Sequence, residues 1–267
     1  MILKIGLEQG DRIIMEFWES SFIEKQTMWG FEPTESAILT KDFFVENNVK
    51  DILVPGIGYG RNAKVFIEKQ TMWGFEPTES AILTKDFFLE KNVKNILVPG
   101  IGYGRNAKVF IDNGINVTGI EISKTAIDLA RENGLEDVSM YHGSVNEMPF
   151  DNKLYDGIFS HALLHLLNEQ EREKFIEDCY NQLKPGGYMV FTTVSKKAPM
   201  YGKGKQLDKD YYEIMEGVKM FFYDSESIKK DFNQYGLVQV SEIDEPNKNM
   251  ANKPSINFLT IKCKKEL

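Results

Sequence analysis

Gly100, Gly102 and Gly104 recur at every second position between an apolar run, Asn95–Val98, and a helical pattern that starts near Asn106. A strand that ends in such a bend and turns straight into a helix lets main-chain atoms approach a ligand closely, because no Cβ stands in the way. Glu121 ends the next strand pattern, where a carboxylate can accept hydrogen bonds from ribose hydroxyls. Bend and acid together point to a ligand containing a nucleoside. Taken singly, they are a tight strand-to-helix turn and a solvated strand-end acid. The dinucleotide fingerprint Gly-x-Gly-x-x-Gly would need a third glycine where Arg105 stands, which disfavours a nicotinamide-dependent oxidoreductase. No glycine-rich loop ends in Gly-Lys-Ser/Thr, which disfavours a nucleotide triphosphatase.

His161 follows the fourth strand pattern at the carboxyl edge expected of the sheet, the edge at which α/β proteins bind ligands. It is the preferred base or substrate contact, with packing or helix capping as the plainer role. His165 lies one helical turn later, in an apolar run from Ala162 to Leu167 that reads as a buried helix face. His142, His161 and His165 form no recognisable zinc-ligand pattern, and no metal is assigned. Trp73 and Phe75, with Tyr201, Phe221, Phe222 and Tyr223, can build an aromatic lid, against the simpler reading of core packing. Lys203 and Lys205 could attract an anionic substrate or merely solvate a loop.

The elements that must carry these residues alternate along the chain. Strand patterns at Asn95–Val98, Asn116–Ile120, Val138–Tyr141, Tyr155–Ser160 and Tyr188–Val194 are separated by helical patterns, which predicts a parallel sheet with helices on both faces. Leu237–Ile243 and Ile256–Lys262 are expected as an antiparallel pair at one end, bringing the sheet to seven strands. Lys184-Pro185-Gly186-Gly187 reads as the stop of the helix Glu169–Leu183, and Ser195–Asp210 as a mobile polar loop.

Phe22–Val65 recurs as Phe66–Val109, an offset of 44 residues with three differences, Val45/Leu89, Asn47/Lys91 and Asp51/Asn95. Both copies contain the glycine bend, so they compete for one place in the fold. The second runs directly into the following strand, whereas using the first would loop out the second, at a closure cost of about a few kcal/mol. The expected division is therefore an N-terminal extension over residues 1–65, holding a duplicated helix-strand segment, and a domain over 66–267. An unpaired apolar strand in the extension would favour a homodimer or a segment-swapped oligomer.

Composition narrows the partners. A formal charge of −8 on 267 residues repels phosphate backbones and anionic membranes. Two cysteines, Cys179 and Cys263, suit a reducing compartment, and the absence of a long apolar run or secretory segment makes the expected location cytoplasmic.

From about Thr78 to Lys262 the chain resembles the class I S-adenosylmethionine-dependent methyltransferases. The matching elements are Leu97–Gly104 with Glu121, Gly143–Val145 through Met148–Phe150, Tyr155–Ser160, and Leu183–Gly187 before the fifth strand. The resemblance implies a Rossmann-like fold with S-adenosyl-L-methionine as cofactor. It places Gly100, Gly102 and Gly104 against the methionine and ribose, Glu121 on the ribose, Ile122 among the cofactor-binding residues, Ser144 and Val145 beside the adenine, and Ser160 with His161 near the methyl group. Val98 and Ser144 stand where many relatives carry Asp. The Val-Pro-Gly start of the bend is similar to the thiopurine, thiol and halide branch, and the tellurite-resistance methyltransferases are another similar group. The implied reaction is methyl transfer to a small-molecule acceptor, possessing a soft nucleophile, by in-line displacement. The alternative is a catalytically impaired cofactor-binding or self-associating protein produced by the duplication. Separate Gly58→Asp and Gly102→Asp variants test the copy assignment: calorimetry should show cofactor binding abolished by the second and largely intact in the first, and the reverse would overturn it.

Overall fold

The computed structural model describes residues 35–46, 76–246 and 255–267. The chain divides into two compact units, Met1–Gly74 and Phe75–Leu267. Helix α1, Glu35–Glu46, is the described element of the first unit, with Leu39 and Phe43 on its exposed surface. The first-copy strand and bend, and the lid residues Trp73 and Phe75, lie outside the described residues.

In the second unit, Thr78 opens α2, Glu79–Glu90, by accepting the Ala81 N–H through its side chain. The helix buries Ala81, Thr84 and Phe88, a stripe at helical spacing. There follow β1 (Asn95–Pro99), α3 (Arg105–Ile111), β2 (Asn116–Glu121), α4 (Lys124–Ala130), β3 (Ser139–His142), β4 (Tyr155–His161), α5 (Glu169–Asn181) and β5 (Leu183–Val194). After a small sheet come α6 (Ser225–Phe232), β9 (Leu237–Glu245) and β10 (Ile256–Lys264).

The main sheet has seven strands in the order β3-β2-β1-β4-β5-β10-β9. Strands β1 to β5 run parallel, and β10 pairs antiparallel with both β5 and β9. This is a Rossmann-like fold, with the final antiparallel pair at one end as the sequence predicts. Successive side chains of β4 serve opposite faces. Phe159 joins Phe88 of α2 and Phe110 of α3, while Ile158 belongs with Phe175 of α5 and Phe232 of α6. The order reverses between β1 and β4, and at such a switch point the loops leaving the two strands diverge and open a crevice.

Three segments depart from the sequence reading. Ser195–Asp210 is not a loop throughout, because Lys205–Asp208 forms β6 against β7 (Tyr211–Met215), which pairs with β8 (Val218–Phe221). Lys196 anchors this small sheet to the body through Asp210 at 2.7 Å and Asp224 at 2.5 Å. The Lys184–Gly187 stretch is the start of β5 rather than a helix stop. It bulges between the pairs Tyr155↔Leu183 and Gly157↔Tyr188, and the Gly186 N–H donates to Lys265 O. The run from Ala162 to Leu167 is a short 3-10 turn, Leu164–Leu166, instead of an α-helical face. No helix among the described residues is long and apolar enough to cross a membrane.

One of the differences between the copies falls on a structural contact. Asn95 donates through its main-chain N–H (2.9 Å) and side-chain amide (3.2 Å) to Asp156 Oδ2. Burial pushes the Asp156 carboxyl up, but Lys184 and these donors outweigh it and hold the group below its ordinary range. Asn95→Asp, which copies residue Asp51, would set two carboxylates face to face. It should cost about 1–2 kcal/mol in a denaturant titration near neutral pH, and an unchanged midpoint would contradict this role.

Candidate functional site

The bend begins where β1 passes its last ladder pair. Gly100 and Ile101 both donate to Ile120 O, at 2.9 and 3.1 Å, so the turn is strapped to β2. The three glycines Gly100, Gly102 and Gly104 have φ of 71°, 60° and 84°. At Gly104, the cap of α3, a Cβ would lie 2.5 Å from Leu135 Cδ2, so that position is closed by packing as well as by conformation. Gly102 is different: among the described residues a Cβ there would meet nothing within 4 Å. Its missing side chain opens space rather than relieving a clash.

Glu121, the last residue of β2, turns back to this open point. Its Oε2 accepts the Gly102 N–H at 2.9 Å, and its Oε1 accepts the Ser123 N–H at 2.8 Å. A carboxylate has about four lone-pair sites, so these bonds fix its orientation and leave capacity for further donors. Ser123 in turn caps α4 by accepting the Ala126 N–H at 3.2 Å. The exposed Ile122 sits between them, its carbonyl 3.0 Å from His142 Nε2.

The other expected positions gather on the same edge of the sheet. Gly143 N–H donates to Glu121 O at 3.0 Å, which places the turn carrying Ser144 beside the end of β2. Ser144 opens that turn with a capping box shared with Glu147, while Val145 is buried in the core with Ile120 and Tyr155. Ser160 is buried, and its hydroxyl donates to Pro99 O at 3.2 Å, tying β4 to the start of the bend. These contacts bring the bend, Glu121, Ile122, Ser144 and Ser160 to adjoining strand ends.

His161 ends β4 within a polar cluster that the sequence did not reveal. Its Nδ1 lies 2.6 Å from Thr192 Oγ1, 3.3 Å from Ser80 Oγ and 3.9 Å from Glu245 Oε2. Phe258 stacks on the ring at 5.6 Å between centroids. Burial, then the charge of Arg105, then His165, lower the His161 pKa to about 3. The contact with Glu245 is therefore not an ion pair at neutral pH, and the ring is poorly suited to hold a proton as a free base would. Burial moves the Glu245 carboxyl the other way, upward, against the hydrogen bonds from Ser80 and the field of Arg105. Ser80, Thr192 and Glu245 are distant from one another in the chain, and no local pattern marks them as partners of a histidine.

His165 is buried, with Nδ1 3.4 Å from the Val194 nitrogen and from Thr193 Oγ1, and burial lowers its pKa to about 3 as well. The aromatic residues considered for a lid are mostly packing groups. Phe222 and Tyr223 are fully buried, Tyr201 meets Phe222 edge-on at 5.4 Å, and Phe221 lies under the Arg172 guanidinium at 3.9 Å. Lys203 and Lys205 are exposed.

Comparison with known proteins bears on the domain and its fold. Residues 97–191 match a family model described as a methyltransferase domain. The chain is 25% identical over 142 residues to the tRNA N(3)-cytidine methyltransferase METTL2 of Danio rerio, covering 49% of this chain and 40% of that protein. It is 25% identical, again over 142 residues, to a demethylmenaquinone methyltransferase of Staphylococcus aureus, covering 46% and 58%. The match thus spans 40% to 58% of the length of these relatives. Among solved structures, a SAM-dependent methyltransferase from Methanosarcina mazei superposes with a TM-score of 0.58 at 16% identity, covering 67% of this chain and 97% of that one. TehB from Haemophilus influenzae gives 0.54 at 16% identity, with 76% and 66% covered. Residues 97–191 are accordingly similar to a methyltransferase domain, and the domain that holds them has the class I methyltransferase fold.

The two buried histidines make stability depend on pH. Their rings are neutral in the fold and protonate in the unfolded chain near 6.5, so their contribution is complete above that value and declines as pH falls toward 3. Each ring should add up to about 1.4 kcal/mol per pH unit to the loss below about pH 6. Denaturant midpoints compared at about pH 7 and 5 should show a shallower dependence for His165→Gln than for the parent; equal slopes would contradict the assignment.

Proposed function

We propose that the protein is an S-adenosylmethionine-dependent methyltransferase that transfers a methyl group to a small-molecule acceptor, a thiol or another soft nucleophile, by in-line displacement. One observation supports the reading: a carboxylate pinned at the main-chain N–H of a glycine whose missing Cβ would meet none of the described residues within 4 Å. The residues present fit the cofactor. Gly102 would leave room for its methionine half, Glu121 would take the ribose hydroxyls on its remaining acceptor sites, Ile122 follows it at the end of β2, and Ser144 with Val145 would flank the adenine. The matched domain and the fold support the same cofactor.

When bound, the cofactor supplies a methyl group activated by a sulfonium. The chain's own task is to align the acceptor with that methyl and to exclude water, and no covalent enzyme nucleophile is required. Ser160 and His161, at the end of β4, would border the reacting centre. The net charge of −8 favours a small acceptor over the tRNA named for one relative, and a cytoplasmic location fits two cysteines that are both free and buried.

Calorimetry with S-adenosylmethionine, followed by a screen of thiols, halides, tellurite and small amines for S-adenosylhomocysteine formation, tests the proposal. Binding and transfer to a soft nucleophile are expected, and Glu121→Ala should weaken cofactor binding by roughly 10- to 100-fold. Dinucleotide binding without adenosylmethionine binding would overturn it. The internal repeat favours one second reading, an impaired cofactor-binding or self-associating protein, which tight binding with no transfer to any acceptor would support.

A further inference from the structure

The peptide that joins Ile122 to Ser123 is held at both of its polar ends. Its N–H, that of Ser123, donates to Glu121 Oε1 at 2.8 Å, and its carbonyl, that of Ile122, lies 3.0 Å from His142 Nε2. A carbonyl oxygen can only accept, so Nε2 carries the proton and the ring donates. The two side chains come from paired positions on adjacent strands, because Glu121 of β2 is in register with His142 of β3. The ladder continues one step further, where the Gly143 N–H donates to Glu121 O at 3.0 Å. A peptide bonded on both sides cannot turn over without giving up both bonds, and the one to the carboxylate is of the stronger, charge-assisted kind.

The side chain whose backbone is fixed in this way is 68% exposed. An isoleucine that leaves most of its surface in water contributes little to the core, yet two strand-end side chains hold its main chain. Branching at Cβ restricts its χ1, so a fixed main chain also narrows the directions its apolar surface can take. Its Cα lies about 3.8 Å along the chain from that of Glu121. A ribose bound through its hydroxyls at Glu121 carries its base on the adjoining ring carbon, within reach of the next residue. The flat face of a purine is apolar enough to cover an exposed aliphatic group there. Ser144, on the next strand end, offers the base only a hydroxyl, whose oxygen already accepts the Asn146 N–H at 3.2 Å. That leaves the face of the base, more than its edge, as the part the protein can grip.

Resting on the methyltransferase reading, we propose that His142 is a positioning residue for the cofactor: by holding the Ile122 carbonyl it keeps the Ile122 side chain in place as an apolar platform for the purine face. His142 acts through Ile122 and does not itself touch the base. Glu121 then has two tasks, since one oxygen fixes the same peptide from its other side while the remaining lone pairs are available to the sugar.

NMR of protein labelled at the isoleucine δ1-methyls tests this, with Ile122→Val assigning the signal. Saturation with S-adenosylhomocysteine should move the Ile122 methyl upfield, because a methyl under an aromatic face is shielded by the ring current. Calorimetry should show His142→Leu weakening S-adenosylhomocysteine binding by roughly 3- to 10-fold, with the methyl shift reduced. His142→Gln, whose amide nitrogen can donate from near the position of Nε2, should restore both, which a loss of strand order would not allow. Since the two residues act in series, His142→Leu added to Ile122→Ala should cost little more than Ile122→Ala alone. An Ile122 methyl unmoved by S-adenosylhomocysteine, a His142→Leu affinity equal to the parent's, or additive losses in the double variant would each overturn the proposal. Absence of S-adenosylhomocysteine binding to the parent would sink the methyltransferase reading as well, whereas binding with an unmoved methyl sinks this inference alone.

Discussion

The Glu121 carboxylate is held between two main-chain N–H groups, from Gly102 on the bend after β1 and from Ser123 at the start of α4. That clamp joins the ends of two adjacent strands and sets the direction in which the remaining lone pairs of the acid can act. It works only because the residue at 102 adopts a left-handed conformation and has no side chain in the space it faces. The rest of the fold serves this arrangement. Parallel pairing of β1 with β2 brings Val98 and Pro99 level with Gly119 and Ile120, which puts the bend and the acid on the same edge.

A second polar region occupies the same edge, one strand away across the switch point. His161, Thr192, Ser80 and Glu245 come from β4, β5, α2 and β9 and are buried against Phe159 and Phe258. Burying so many polar groups is costly unless their donors and acceptors are matched. Here Thr192 and Ser80 lie within hydrogen-bond distance of His161 Nδ1 and the Ser80 N–H bonds Glu245 Oε1, while Glu245 Oε2 has no hydrogen-bond partner among the described residues. The same burial that keeps His161 neutral strengthens its hydrogen bond with Thr192.

Much of this was readable in the sequence because the controlling interactions are local. The bend at Gly100, Gly102 and Gly104 and the acid at Glu121 belong to neighbouring elements, and alternation of strand and helix patterns sufficed to place them. The small sheet was hidden because Lys205–Asp208 is exposed along its whole length and so shows no alternation of apolar and polar residues. The start of β5 was hidden because Pro185, Gly186 and Gly187 are turn residues, here absorbed into a strand bulge that Lys265 helps to close. The bond from Ser80 to Glu245 spans 165 residues. No period or spacing encodes such a contact; the sheet order creates it by folding β9 back toward α2.

A crystal structure of the protein with S-adenosylhomocysteine would test the clamp itself. The account predicts both ribose hydroxyls on Glu121 and the homocysteine chain lying along Gly100 and Gly102. A complex in which that space is filled by protein atoms, with the ligand elsewhere and Glu121 making no contact to it, would contradict the account.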